Sequence, residues 1–215
     1  MTTIRNMDGP PTTTNQIFNE YERHLAGVDR EFRRVSGQFA ERMHCGRGCS
    51  MCCSQMFSIS AIEAAYISRA VQQMPAGERY RLKEAAAEYI DQAKQLTGAA
   101  DDDEGFVPRP GLRLQCPALK EDACSIYGAR PIICHKWGIP IFNPSKPMEL
   151  QACELNFQPG EEVETEGLLE PQVELLEDWV ELKQRAVDRF PGAEARTTIA
   201  EAILNDCEER FFSKS

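Results

Sequence analysis

The chain has 215 residues, with 34 acidic against 24 basic side chains and a net charge of −10. That charge repels phosphate backbones and anionic lipid, which sets aside a general nucleic-acid or membrane role. No apolar run approaches the roughly 18 residues of a membrane span, and the polar opening residues 1–11 lack the apolar core of a signal peptide.

A cytoplasmic protein is therefore expected, and in that reducing setting nine cysteines point to metal rather than disulfides. An odd number also closes a disulfide framework poorly. Residues 12–43 read as one long helix with a bend at Gly27 and a cap at Thr14 or Asn15. Ile17, Tyr21, Leu25, Val28, Phe32, Val35, Phe39 and Met43 recur every three or four positions along it. Arg30, Arg33, Arg34, Arg42 and Arg47 gather at its end. They read as a solvated face, as charge compensation for thiolates, or as a docking patch for an acidic protein partner.

The helix runs into a dense cluster, Cys45, Cys49, Cys52 and Cys53. Ser60 and Glu63 form a capping box opening a helix to Met74. After Pro75 a second helix covers 76–96, with Leu82, Ala86, Tyr89, Ala93 and Leu96 on one face. Residues 98–105 are an acidic loop. From 106 to 160 there are many prolines, no sustained periodicity, and the cysteines Cys116, Cys124, Cys134 and Cys153. Short strands are expected near 112–115 and 148–152, and a turn of helix over 125–130 stopped by Pro131. So much irregular chain needs another source of order, and a bound metal supplies one. Residues 158–170 form a second acidic loop. Pro171 opens a helix to Phe190, and a last helix over 194–212 carries Ile199, Ile203, Cys207 and Phe211 at four-residue spacing. Cys207 thus reads as a buried apolar thiol outside any site.

The fold expected is mainly α: a helical domain around an irregular, cysteine-rich middle with a few short strands at most. It divides into an N-terminal helix (1–44), a metal-binding segment (45–157) and a C-terminal helical segment (158–215) that packs on the same core. Clustered thiolates repel one another unless a cation neutralises them, so the eight cysteines from Cys45 to Cys153 are the candidate metal ligands. Both clusters are expected to meet in space. Cys52 and Cys53, being adjacent, are expected to point apart.

Cys45-x3-Cys49-x2-Cys52-Cys53, Ser60 and Glu63, Cys116-Pro117-x-Leu119, Cys124-Ser125-Ile126-Tyr127 and Arg130-Pro131-x-x-Cys134 resemble the YkgJ-type cysteine-cluster family over about residues 45–155. The resemblance implies a domain that chelates zinc or iron. It extends to the flagellin lysine N-methylases, which carry an iron–sulfur centre, but no glycine-rich strand–turn–helix for S-adenosylmethionine is visible here. Family members usually have arginine after the last of these cysteines, where this chain has His135. An imidazole there is a candidate ligand or second-sphere group, although side chains of neighbouring residues diverge. His44 is demoted by the same divergence from Cys45, and His24 reads as exposed.

The metal stays open between zinc and an iron–sulfur cluster. C-x3-C-x2-C suits three corners of a [4Fe–4S] cube, and only Cys49-x2-Cys52 has a zinc-type turn. The same spacing occurs in radical S-adenosylmethionine enzymes, whose repeated strand–helix units are missing here. Two functions remain: a metal-binding protein, or an iron–sulfur enzyme or electron-transfer protein of methyltransferase-like or oxidoreductase type.

Overall fold

A computed structural model of the chain describes residues 13–46, 48–97, 112–142, 150–158, 161, 163 and 167–213. Arg47 and the acidic loop at 98–105 lie outside them, as do six of the thirteen residues of the 158–170 loop. The fold is mainly α. Seven helices are present among the described residues: α1 (Thr14–Gln38), α2 (Ala61–Gln72), α3 (Ala76–Thr97), α4 (Ile132–Lys136), α5 (Leu169–Arg189), α6 (Ile199–Leu204) and α7 (Cys207–Phe212). Six two-residue strands pair antiparallel: β1 (Ile59–Ser60) with β6 (Arg196–Thr197), β2 (Leu119–Lys120) with β3 (Ala123–Cys124), and β4 (Ile141–Phe142) with β5 (Leu150–Gln151).

Helix α1 is capped one residue earlier than expected. Thr13 Oγ1 accepts from the Gln16 backbone N–H at 3.3 Å and Gln16 Oε1 accepts from the Thr13 N–H at 2.7 Å, a reciprocal box. The helix runs through Gly27, where a side-chain carbon would stand 3.0 Å from Leu175 of α5. That glycine lets two helices approach rather than bending one. The helix ends at Gln38, short of the expected 43. Phe39 turns the chain and packs edge-on against Phe157 at 5.4 Å, and a 3-10 turn over Ala40–Arg42 leads on to Cys45.

Helix α2 begins where its Ser60–Glu63 box places it. It packs against α6 and α7, and α6 also meets α3, while α1 lies against α4 and α5. One apolar cluster joins Ile17 and Tyr21 of α1, Ile62 and Ile67 of α2, Ala118 and Ile126 of the middle segment, and Ile203 and Phe212 near the end. Each large side chain buried there contributes about 1.5–3 kcal/mol. Leu96, expected on the buried face of α3, is 48% exposed.

The last helix corrects the sequence reading. In place of one helix over 194–212, a 3-10 turn (Pro191–Glu194) leads into β6, and two short helices follow. Thr198 caps α6 and Asp206 caps α7, its carboxylate accepting from the Glu209 N–H at 2.9 Å. A side chain that satisfies a helix's first N–H groups starts a new helix where periodicity alone predicts continuation. The apolar stripe survives the break: Ile199, Ile203, Cys207 and Phe211 are all buried.

Candidate metal centre

The first cysteine cluster is a tight loop. The Cys49 N–H donates to Gly46 O at 3.1 Å, and Gly48 adopts φ +91°, a region costly for other residues. Cys52 and Cys53 follow on a 3-10 turn over Met51–Ser54. Contrary to expectation, their side chains do not point apart, since each thiol shifts the proton affinity of the other.

The second cluster comes alongside through the backbone. The Cys116 N–H donates to Cys53 O at 2.6 Å and the Leu114 N–H to Ser54 O at 3.0 Å. The strand expected at 112–115 is only a bridge between Arg113 and Gln55. The β2–β3 hairpin sets Leu119 opposite Cys124 across a turn in which Glu121 and Asp122 both have positive φ, 50° and 58°, as a two-residue hairpin turn requires. Arg130 lies over the Tyr127 ring at 3.7 Å, and Pro131 opens the unforeseen α4, which carries Cys134.

Cys45 and Cys153 meet through Asn156, which the sequence reading passed over. Its Nδ2 donates to Cys45 Sγ at 3.3 Å and to Gly138 O at 2.7 Å, while its Oδ1 accepts from the His44 N–H at 2.9 Å. Its own N–H donates to Cys153 O at 2.9 Å. The cysteines thus fall into two groups. Backbone pairing and the α4 turn gather Cys52, Cys53, Cys116, Cys124 and Cys134; the Asn156 network and the Gly46–Cys49 turn hold Cys45, Cys153 and Cys49.

All eight line one cavity of about 1030 Å³. Cys207 does not; it is fully buried between helices. The described residues contain no three His, Cys, Asp or Glu side chains that close around a common ion position as they stand. The donor set is nevertheless soft and concentrated, which fits zinc or iron.

Burial pushes the Cys116 thiol up to about 11 and Cys134 well above its usual value. Burial also raises Cys124, against the pull of the Ile126 N–H and Arg130. Cys45 rises through burial, opposed by the Asn156 amide. Of the adjacent pair, Cys53 raises the Cys52 thiol above the ordinary value and Cys52 holds Cys53 below it. Without a cation, burial favours the neutral form of Cys45, Cys116, Cys124 and Cys134.

A pH dependence follows. Cys116 and Cys207 are both raised from 9.0 to about 11, so the unfolded chain ionises first. Their contribution to stability is full below pH 9 and is lost as pH rises through 11. Chemical denaturation of chelator-treated protein should show a lower midpoint at pH 10.5 than at pH 8. A midpoint that holds or rises across that interval would contradict the burial assigned to these thiols.

Gly138, between Trp137 and Ile139, has φ +120°, and a side-chain carbon there would stand 2.5 Å from Cys45 Sγ. Gly138→Ala should therefore displace Cys45 and cost about 1–3 kcal/mol through the strained backbone. Accelerated alkylation of Cys45, read by mass spectrometry, is the check; an unchanged rate would show that the contact does not constrain that thiol.

The arginines divide. Arg34 pairs with Glu31 at 2.7 Å and Arg42 with Glu161, whereas Arg33 and Arg130 line the thiol cavity. His24 is half-buried and stacks on Trp179 at 5.5 Å rather than standing free. His44 is exposed. His135 lines the cavity, its Nδ1 2.7 Å from Asp29 Oδ1.

Residues 44–150 match the CxxCxxCC family, described as "Putative zinc- or iron-chelating domain". Cys153 falls just beyond the matched segment. No curated protein and no solved structure matches the chain. Among the described residues no helix is long and apolar enough to cross a membrane.

Proposed function

Residues 44–150 of this chain belong to the CxxCxxCC family of zinc- or iron-chelating domains, and from that membership we propose a protein that chelates its metal through both thiol groups of the cavity. The observation that carries the reading is the convergence of eight free cysteines from four separate stretches of chain on one cavity. Cys52, Cys53, Cys116, Cys124 and Cys134 hold the principal centre; Cys45, Cys49 and Cys153 form the second group. A thiol sulfur moves by roughly 3 Å between staggered side-chain wells, and such turns draw the ligands together. Bound metal replaces the thiol protons and cross-links the irregular middle segment. Arg33 and Arg130 offset thiolate charge at the rim, and the chemistry suits a reducing compartment such as the cytoplasm.

An iron–sulfur protein, serving electron transfer or catalysis, is the second reading. A cavity of about 1030 Å³ has more room than a single zinc ion fills, and Tyr66, Tyr89 and Trp137 stand among its lining residues. When bound, such a cluster supplies a one-electron couple.

Anaerobic purification of the full chain, with metal analysis and an absorption spectrum, tests both. Metal in at least stoichiometric amount supports chelation, and broad absorption near 400 nm marks the iron–sulfur form. Zinc with a colourless spectrum rejects the second reading; protein that takes up neither metal rejects both.

A further inference from the structure

The Cys45 thiol feels the charge of Cys153, Cys49 and, least of the three, Cys52; with Cys52 assigned to the principal centre, three donors remain where a tetrahedral thiolate site takes four. Helix α4 has two distinct faces. Ile132, Ile133 and Lys136 line a smaller cavity of about 270 Å³ beside Trp179, whereas Cys134 and His135 line the thiol cavity. Successive helical residues diverge by about 100°, so His135 looks toward a different wall from Cys134. That wall is α1, where Asp29 and, one turn on, Phe32 also line the thiol cavity. The Phe32 ring lies 3.6 Å from the point a Gly138 side-chain carbon would occupy, and Cys45 Sγ lies 2.5 Å from that same point.

The His135 side chain is only 8% exposed, with Nδ1 2.7 Å from Asp29 Oδ1. Its Nε2 is fully buried and has no hydrogen-bond partner among the described residues. A carboxylate accepts, so Nδ1 carries a proton, and in the neutral ring Nε2 then presents a lone pair. Buried polar atoms are seldom left without a partner. A histidine that donates one ring N–H to a carboxylate and offers the other nitrogen is the arrangement seen at histidine metal ligands.

We propose that His135 is a metal ligand through Nε2, completing a Cys3His set with Cys45, Cys49 and Cys153, and that Asp29 is its positioning residue. The inference rests on the metal-chelating reading and adds a nitrogen donor to it.

The test uses the full chain carrying 15N-labelled histidine and loaded with 113Cd²⁺, a thiol-seeking probe that gives one NMR signal per bound ion. The expected result is one cadmium resonance split by coupling to an imidazole nitrogen. His135→Ala should abolish the splitting and His44→Ala should preserve it. Asp29→Asn should preserve the splitting but weaken cadmium binding at that site by about 10–100-fold. Cadmium resonances with no splitting in the unaltered protein, or splitting that persists in His135→Ala, overturn the proposal while leaving thiol chelation standing. Unchanged affinity in Asp29→Asn removes Asp29 from it. Protein that binds no cadmium rejects the chelating reading itself. The spectrum of the unaltered chain decides the main point even where a variant fails to fold.

Discussion

Cys134→Ser should strip metal from the protein and destabilise the loaded form by more than about 4 kcal/mol, whereas Cys207→Ser should leave metal content unchanged. Burial alone does not distinguish these thiols, because it raises both above the ordinary value. Their neighbours do. Cys134 is surrounded by Cys116, Cys52, Cys124 and Arg130, and Cys207 by Arg210, Glu201 and Asp206. A metal replacing the proton of Cys134 finds other soft donors at hand, and serine there removes a ligand from the principal centre. At Cys207 the substitution only places a hydroxyl in an apolar helix interface, at about 1–3 kcal/mol. Metal per chain and denaturation with and without chelator measure the difference. A chelator-insensitive Cys134→Ser deficit, or equal metal loss in both variants, would show that the boundary of the site is misplaced.

The parts of the fold legible in the sequence are those in which local chemistry and periodicity agree. Helix α2 starts where Ser60 and Glu63 can cap each other, and α1 and α5 carry apolar residues every three or four positions. Five residues of α4 are too few to show a period, and the residue before it, Pro131, is a helix-stop signal as readily as a start. The β2–β3 hairpin was hidden because Glu121-Asp122 lacks the glycine that usually marks a left-handed turn. At the site, spacing identified the eight thiols, but their division into two groups depends on residues with no such signature. Asn156 is one polar residue in irregular chain. Gly138 carried a faint signal, an isolated glycine between Trp137 and Ile139, the sort of position where another group approaches the backbone. The apposition of Asp29 and His135 spans 106 residues and lies beyond any reading of spacing.

Glu63→Ala should cost about 3–5 kcal/mol and weaken metal binding without touching a thiol. The capping box explains half of what Glu63 does. Its Oε2 accepts from the Ser60 N–H at 2.8 Å and from the Ser60 hydroxyl at 2.7 Å, closing the first turn of α2. Its Oε1 accepts from the Ile132 N–H at 3.0 Å. Helix α4 begins after Pro131 and has no side-chain cap of its own. Glu63 therefore caps a second helix, and its carboxylate stands at the positive end of the helix bearing Cys134. Alanine leaves two buried N–H groups without partners, at about 1–3 kcal/mol each, together with loss of the cap. Glutamine keeps the volume and one acceptor but turns an amide NH2 toward one of those donors, so an intermediate loss of about 1–2 kcal/mol is expected. Denaturation midpoints and metal titrations of both variants separate the two roles. Stability that falls while metal affinity holds would make Glu63 a cap for α2 alone. Loss of both, graded from glutamine to alanine, follows if α2 and the Cys134 helix are held together through this one carboxylate.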